Sequence, residues 1–232
     1  MQTVAITAAT MAVISPVLKT ARSAGFQLMA TQSLNQLGKA SHLYLMDNED
    51  RFPPAMEARD HSIHAWFGEV DDSKHTDPKT GVFYPYLKGP TFRDPSANYK
   101  PYLGDGTGFG YNWCTLGSDA CATGNYESFN HSQNPAELSQ LSHPGETVMF
   151  ASSVYVNAQW AKGDGQFYDY GFVSPPSLWK GVPDVDFRYR GATRVDLDNK
   201  TVESDGIALV LFTDGAIKPL KKGDLEDKLF LR

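Results

Sequence analysis

Residues 1–54 read MQTVAITAATMAVISPVLKTARSAGFQLMATQSLNQLGKASHLYLMDNEDRFPP, and their pattern decides the fold. No side chain from Met1 to Leu18 is charged; Lys19 is the first charge and Arg22 the second. The run approaches the length of about 20 apolar residues that spans a bilayer. Thr3, Thr7, Thr10, Ser15 and Pro16 keep it only weakly hydrophobic, and it lacks the basic leader of a secretory signal peptide. Beyond Pro16, Leu18, Ala21, Leu28, Leu34, Leu37, Tyr44 and Leu45 recur at roughly helical spacing, with Lys19, Arg22, Gln32, Asn35 and Lys39 at other positions. One helix over residues 2–47 is predicted, although Pro16 removes a backbone hydrogen bond and Gly25 and Gly38 lower local propensity. It stops at Asp47–Pro54, where acids and a proline pair cannot continue it. At 1.5 Å per residue its length is about 70 Å, more than twice the width of a small domain. Its N-terminal half is therefore expected to protrude, and a protruding uncharged helix needs a bilayer or copies of itself.

Outward from this segment the chain changes character. From residue 55 it is rich in Gly and Pro with short segments between, the pattern of a β-rich, loop-rich domain. Thr147–Ser152 (TVMFAS) reads as a buried strand, followed by Val154–Trp160. The clearest hairpin is GIALVLFTDGAIKPL, Gly206–Leu220: Ile207–Phe212 runs out, Asp214-Gly215 turns, and Ala216–Leu220 returns. The charged tail Lys221–Arg232 is expected to fray or lie on an edge. With no repeat and no long linker, residues 55–232 form one domain. The chain has 232 residues, 41% hydrophobic and 21% charged, which is globular rather than disordered composition. A net charge of -6 without any Lys/Arg run argues against nucleic acid as a partner. Cys114 and Cys121, the two cysteines, lie in the polar stretch WCTLGSDACATG and fit one local disulfide formed in an oxidising compartment. A pair of free thiols is the alternative.

Several blocks, in order, resemble a bacterial prepilin-like family that joins a pilin N-terminal helix to a C-terminal domain ending in a His-x9-Asp-Gly motif. AVISPVLKTARSA (Ala12–Ala24) is similar to its "AxLLPALxKAREkA" segment, QSLNQLGKASHLY (Gln32–Tyr44) to "CLSNLrQIGLAlqmY", and DNEDRFPP (Asp47–Pro54) to "DNdGrFPP". YPYLK (Tyr84–Lys88), FRDPS (Phe92–Ser96), GYNW (Gly110–Trp113), HPGETVMFA (His143–Ala151) and Ile207–Lys218 resemble further blocks. The chain departs from the family at three places. "GFTLIELLVV", with its cleavage site and assembly glutamate, is absent, so either the start lies upstream or assembly proceeds without that glutamate. Asp94 stands where the family has Cys. RYRGA (Arg188–Ala192) stands near the expected place of the motif's His, followed by what looks like an insertion, Thr193–Asp205.

The resemblance implies an α+β, pilin-like fold, with a long N-terminal helix packed on an antiparallel β-sheet head with long loops. Residues 1–54 would be the pilin helix, 1–30 protruding for assembly and 31–54 packed on the head. Assembly would use Val4, Ala5, Ala8, Ala9, Ala12, Val13, Ile14, Pro16, Val17 and Leu18, whose small members permit close helix approach. The partner is the chain itself, in an open-ended helical array. The helix would sit in the inner membrane before assembly and the filament at the cell surface afterwards. Two alternatives are a minor pseudopilin of a type II secretion system and a membrane-anchored carbohydrate-binding or hydrolytic domain.

Candidate chemistry is sparse. Asp196, Asp198, Asn199 and Asp205, with Glu203 and Asp214 near in sequence, are candidate calcium ligands, because alternating acids in a loop can converge hard oxygens. Major pseudopilins resembling this class hold calcium in a C-terminal loop; a solvated acidic turn is the other reading. His61 and His64, three apart near Asp71, Asp72 and His75, lack a third ligand at diagnostic spacing and read as surface residues. Gly104–Gly110 (GDGTGFG) reads as a flexible surface loop rather than a dinucleotide loop. No Gly-x-Ser-x-Gly elbow is present, and the chain is expected not to be an enzyme. Trp66, Trp113, Trp160, Trp179 and the tyrosines can either fill the core or stack on sugars. Asn130-His131-Ser132 and Asn199-Lys200-Thr201 are glycosylation sequons that short sequences often contain by chance.

Overall fold

A computed structural model describes residues 2–87, 93–125, 134–156, 165–179, 182–196, 198–199 and 201–232, with the helix side chains described from Thr20 onward. Helix α1 runs from Gln2 to Asp47 without a break. From Thr20 to Met29 no side chain is buried, and Leu28 and Met29 are 60% and 52% exposed. Burial begins at Ala30 and continues through Leu34, Leu37, Ala40, Ser41 and Leu45. The expected apolar face is thus real only from Ala30 on; Ala21 and Leu28 face solvent.

The head is α+β, but it is not one antiparallel sheet. Its centre is a five-stranded sheet in the order β10 (Phe172–Val173), β6 (Phe109–Asn112), β7 (Val148–Ser152), β13 (Ile207–Phe212), β14 (Ile217–Lys221). β10 runs parallel to β6, and the other pairs are antiparallel. β1 (Met56–Arg59), β2 (Ser62–Ala65), β3 (Gly68–Asp71) and β4 (Thr76–Asp77) form an antiparallel meander. β5 (Lys100–Pro101), β9 (Phe167–Asp169) and β8 (Tyr155–Val156) form a small mixed sheet, and β11 (Thr193–Asp196) pairs with β12 (Thr201–Ser204) as a hairpin. Ile207–Phe212 is the strand expected from sequence, and Gly215 takes the left-handed φ of 88° in the following turn. Residues 157–160 of the expected strand Val154–Trp160 lie outside the described residues.

α1 lies on β13 of the central sheet. A Cβ added at Gly38 would meet the Leu211 side chain at 3.3 Å, so the helix approaches the strand at its glycine. The core beneath is aromatic: Trp66, Phe83, Tyr111 and Phe150 surround one another, with Trp66 and Phe150 ring centres 4.9 Å apart.

Two loop expectations are corrected. Gly104–Gly110 is not a surface loop: its segment from Thr107 to Gly110 is buried, and the N–H groups of Thr107 and Gly108 both donate to Asp169 Oδ1. Positive φ at Gly104, Gly106 and Gly108 aims those donors inward around a carboxylate the chain itself supplies. The tail is not frayed. Phe230 is fully buried, its carbonyl accepts from Asn112 Nδ2, and Arg232 donates to the carbonyls of Thr115, Ser118 and Asn134. The aromatic Phe230 and the guanidinium find partners far away in sequence, which a count of local charge does not register.

Candidate functional site

The clamp that holds α1 is built from its C-terminal half and the DNEDRFPP turn. Thr31 and Ser41 hydroxyls donate to carbonyls one turn back, which lets these polar side chains ride on the helix. The His42 ring sits between the Gly38 and Thr213 carbonyl oxygens, 2.8 and 3.1 Å away. Tyr44 stands edge-on to Phe83, and the Tyr86 hydroxyl donates to Asp47. At the end of the helix Glu49 and Asp50 adopt left-handed φ of 54° and 57°, and the Asp50 N–H donates to the Leu45 carbonyl. The chain then turns inward: Phe52 is buried, its N–H bonds to Ala136, and the Pro53 carbonyl accepts from the Tyr111 hydroxyl. The turn motif therefore ends the helix and fixes its angle on the head. The side chains of Val4, Ala5, Ala8, Ala9, Ala12, Val13, Ile14, Pro16, Val17 and Leu18 lie outside the described residues. Among the described residues no helix is long and apolar enough to cross a membrane.

The disulfide is present: Cys114 and Cys121 are bonded, and the short helix α2 (Ala120–Thr123) begins inside the loop they close. Arg232 is seated on carbonyls of the same loop, so one covalent link and one guanidinium hold it.

Of the calcium candidates, Asp196, Asp198 and Asn199 meet at the β11–β12 turn, and Asp205 stands apart from them. Asp196 caps the β11–β12 turn, accepting from the N–H groups of Asp198 and Asn199 and from Asn199 Nδ2. The Asn199 bonds hold its carboxyl below the usual carboxylate range. Asp205 lies beyond the opposite end of the hairpin, where Thr193 pairs with Ser204, and accepts from the Ala192 N–H. Three residues of strand, about 10 Å, separate the two ends. Among the described residues no three His, Cys, Asp or Glu side chains form a group able to hold a metal. His61 and His64 do not share a helix face: His61 is in the β1–β2 turn near Asp72, and His64 lies in β2 opposite Glu57 and Glu69. Burial, and then Arg59, lower the His64 pKa. Trp66 and Trp113 fill the core, and Trp179 is 36% exposed.

A buried polar network, not foreseen as a unit, lies behind the central sheet. Asp94 accepts from the Ser96 N–H and hydroxyl on one oxygen, and from Arg188 Nη1 and the Tyr189 hydroxyl on the other. Arg188 also pairs with Asp186 at 2.7 Å, donates to the Ser153 carbonyl and stacks over Tyr99, whose hydroxyl donates to Asp186. Burial pulls the guanidinium pKa down, but Asp186 and Asp94 outweigh it and push it up. Burial, then Asp94, raise the Tyr189 phenol. Asp94 and Arg188 of the RYRGA segment thus meet in space as an ion pair. Nearby, burial raises the Asp184 carboxyl to about 7 against the opposing bonds from Ser174 and Trp179. Burial likewise raises Asp169 above the carboxylate range. These groups are enclosed within the fold, and their bonds tie Asp94, Ser153 and Ser174 to the 184–189 segment.

No family model, no curated protein and no solved structure matches this chain.

Proposed function

We propose that this chain is a structural subunit that assembles through its N-terminal helix into an extracellular, type IV pilus-like filament. One observation carries the reading. In a single 46-residue helix the described side chains are buried in the head's core from Ala30 on, while the described stretch before it, Thr20–Met29, buries no side chain and leaves two large apolar ones exposed. An uncovered helix of this kind is satisfied by identical neighbours in an open-ended array. The clamp at Leu34–Pro53 supports it further, because a subunit that bears load through one helix needs that helix fixed in its own head. The disulfide suits an oxidising location outside the cytoplasm. In this reading the uncharged segment 1–18 rests in the inner membrane before assembly and among its copies afterwards, and the chain performs no catalysis.

The test is negative-stain electron microscopy of material from the cell surface, with the full chain and with residues 1–18 deleted. Uniform thin filaments that vanish on deletion are expected. Dispersed particles in both samples would overturn the shaft-subunit reading.

A further inference from the structure

The His42 ring sits where only one of its charge states satisfies both neighbours. Nδ1 lies 2.8 Å from the Gly38 carbonyl oxygen, one turn back on α1, and Nε2 lies 3.1 Å from the Thr213 carbonyl oxygen in the β13–β14 turn. A carbonyl oxygen only accepts, and a neutral imidazole carries one N–H. The neutral ring would aim a nitrogen lone pair at one of the two oxygens, whereas the imidazolium donates to both. Both oxygens are fixed from behind. That of Gly38 belongs to the helix ladder, at the glycine where α1 meets Leu211. Thr213 is held by its N–H on the Thr147 carbonyl and by its hydroxyl on the Pro144 carbonyl. The Cε1 edge of the ring faces Gly215, where an added Cβ would meet it at 3.3 Å, so the turn closes over the ring.

We propose that His42 is a proton-dependent pin: as imidazolium it ties α1 to the β13–β14 turn, and on losing a proton it lets go of one of them. A pair of carbonyls rather than a carboxylate receives this ring. Among the described residues His61 and His75 pair with acids, and His42 does not. The charged neighbours are otherwise placed. Lys39, on the preceding turn of α1, is exposed. Asp214, in the β13–β14 turn, gives one oxygen to the Ala216 N–H and has the other beside Gly145. Lys218 on β14 lies over the Phe212 ring, and His143 and Glu146, on either side of the Pro144 that holds Thr213, are exposed. Histidine is the side chain that ordinarily changes charge between about pH 5 and 8, so the seat of α1 is tight in acid and loosens as pH rises. The inference concerns that seat and does not depend on filament formation.

The experiment is NMR of the nitrogen-labelled full chain in mild detergent, reading the His42 ring nitrogens and backbone amide exchange. An Asp184→Asn background removes the other buried group that titrates in this range. At about pH 5 both ring nitrogens are expected to carry protons, and at about pH 8 one of them. Protection of the amides from His42 to Leu45 and of Gly215, each taken relative to the unfolded chain at the same pH, is expected to fall about tenfold between the two conditions, the low end for a hydrogen bond to a charged group. His42→Gln removes that dependence, and His143→Gln, at an exposed position, leaves it. A ring with a single proton at about pH 5, equal protection in both conditions, or a dependence that survives His42→Gln overturns the proposal.

Discussion

Arg188 is enclosed with more negative charge than it can neutralise: Asp94 and Asp186 both pair with it, and Asp186 Oδ1 has no hydrogen-bond partner among the described residues. Asp94 is also the acceptor for the Ser96 N–H and hydroxyl, Arg188 Nη1 and the Tyr189 hydroxyl, and its removal would leave these donors unsatisfied inside the fold. Asp94→Ala is therefore expected to cost about 3–5 kcal/mol in urea unfolding, far more than Glu137→Ala, whose bridge to Arg51 is exposed. Asp184 provides a pH signature. Its folded pKa of about 7 lies above the ordinary carboxylate value, so the folded state holds the extra proton as pH rises from the unfolded value. Its contribution is complete below that unfolded value and is lost as pH climbs through about 7, at up to about 1.4 kcal/mol per pH unit. Asp184→Asn should abolish that slope in unfolding curves measured between pH 4 and 8. Sequence reading registered Asp94 and RYRGA separately, as departures from a pattern. Their pairing spans 94 residues, and no local spacing encodes it.

Helix α1 was legible as an element because its signals are local: apolar spacing, no break until the acids at Asp47–Asp50, and a proline pair beyond. Which of its residues are buried was legible only in part. Leu34, Leu37 and Leu45 were visible as apolar positions, but Leu28 continues the same spacing past the edge of the head, and spacing alone does not record where a partner surface ends. This difference gives a paired prediction. Leu37→Ala should destabilise the head by about 2–5 kcal/mol, while Leu28→Ala should leave unfolding within about 0.5 kcal/mol and reduce filament yield. The β13–β14 hairpin was readable from Asp214-Gly215 for the same local reason. The parallel pairs β10–β6 and β5–β9 were not, since they join segments distant in sequence and have no turn signal. The Cys114–Cys121 loop is short, with a sequence separation of 7. Reduction is expected to cost about 2.5 kcal/mol by loop-closure entropy, read as a lower denaturation midpoint with reductant present.

At the scale of the molecule, one helix belongs to two environments. Its C-terminal half is a layer of the head's core, and the stretch Thr20–Met29 before it buries no side chain. Deleting residues 1–18 should therefore abolish assembly and leave the unfolding transition of the head in place, a combination that a helix serving only the fold would not give. The docked tail closes the other side of the head: Phe230→Ala should cost about 3–5 kcal/mol, because the ring is fully buried although the segment around it is charged. The continuity of α1 has a mechanical consequence. A pull applied along α1 from before Ala30 cannot be absorbed by a linker; it arrives at the contact between Leu34–Leu45 and the β13 face as a sliding load along the helix axis. Rows of interlocked side chains resist sliding far better than peeling. In an optical trap, force along the helix should meet a single high rupture step, and the same force applied across the helix a series of low ones.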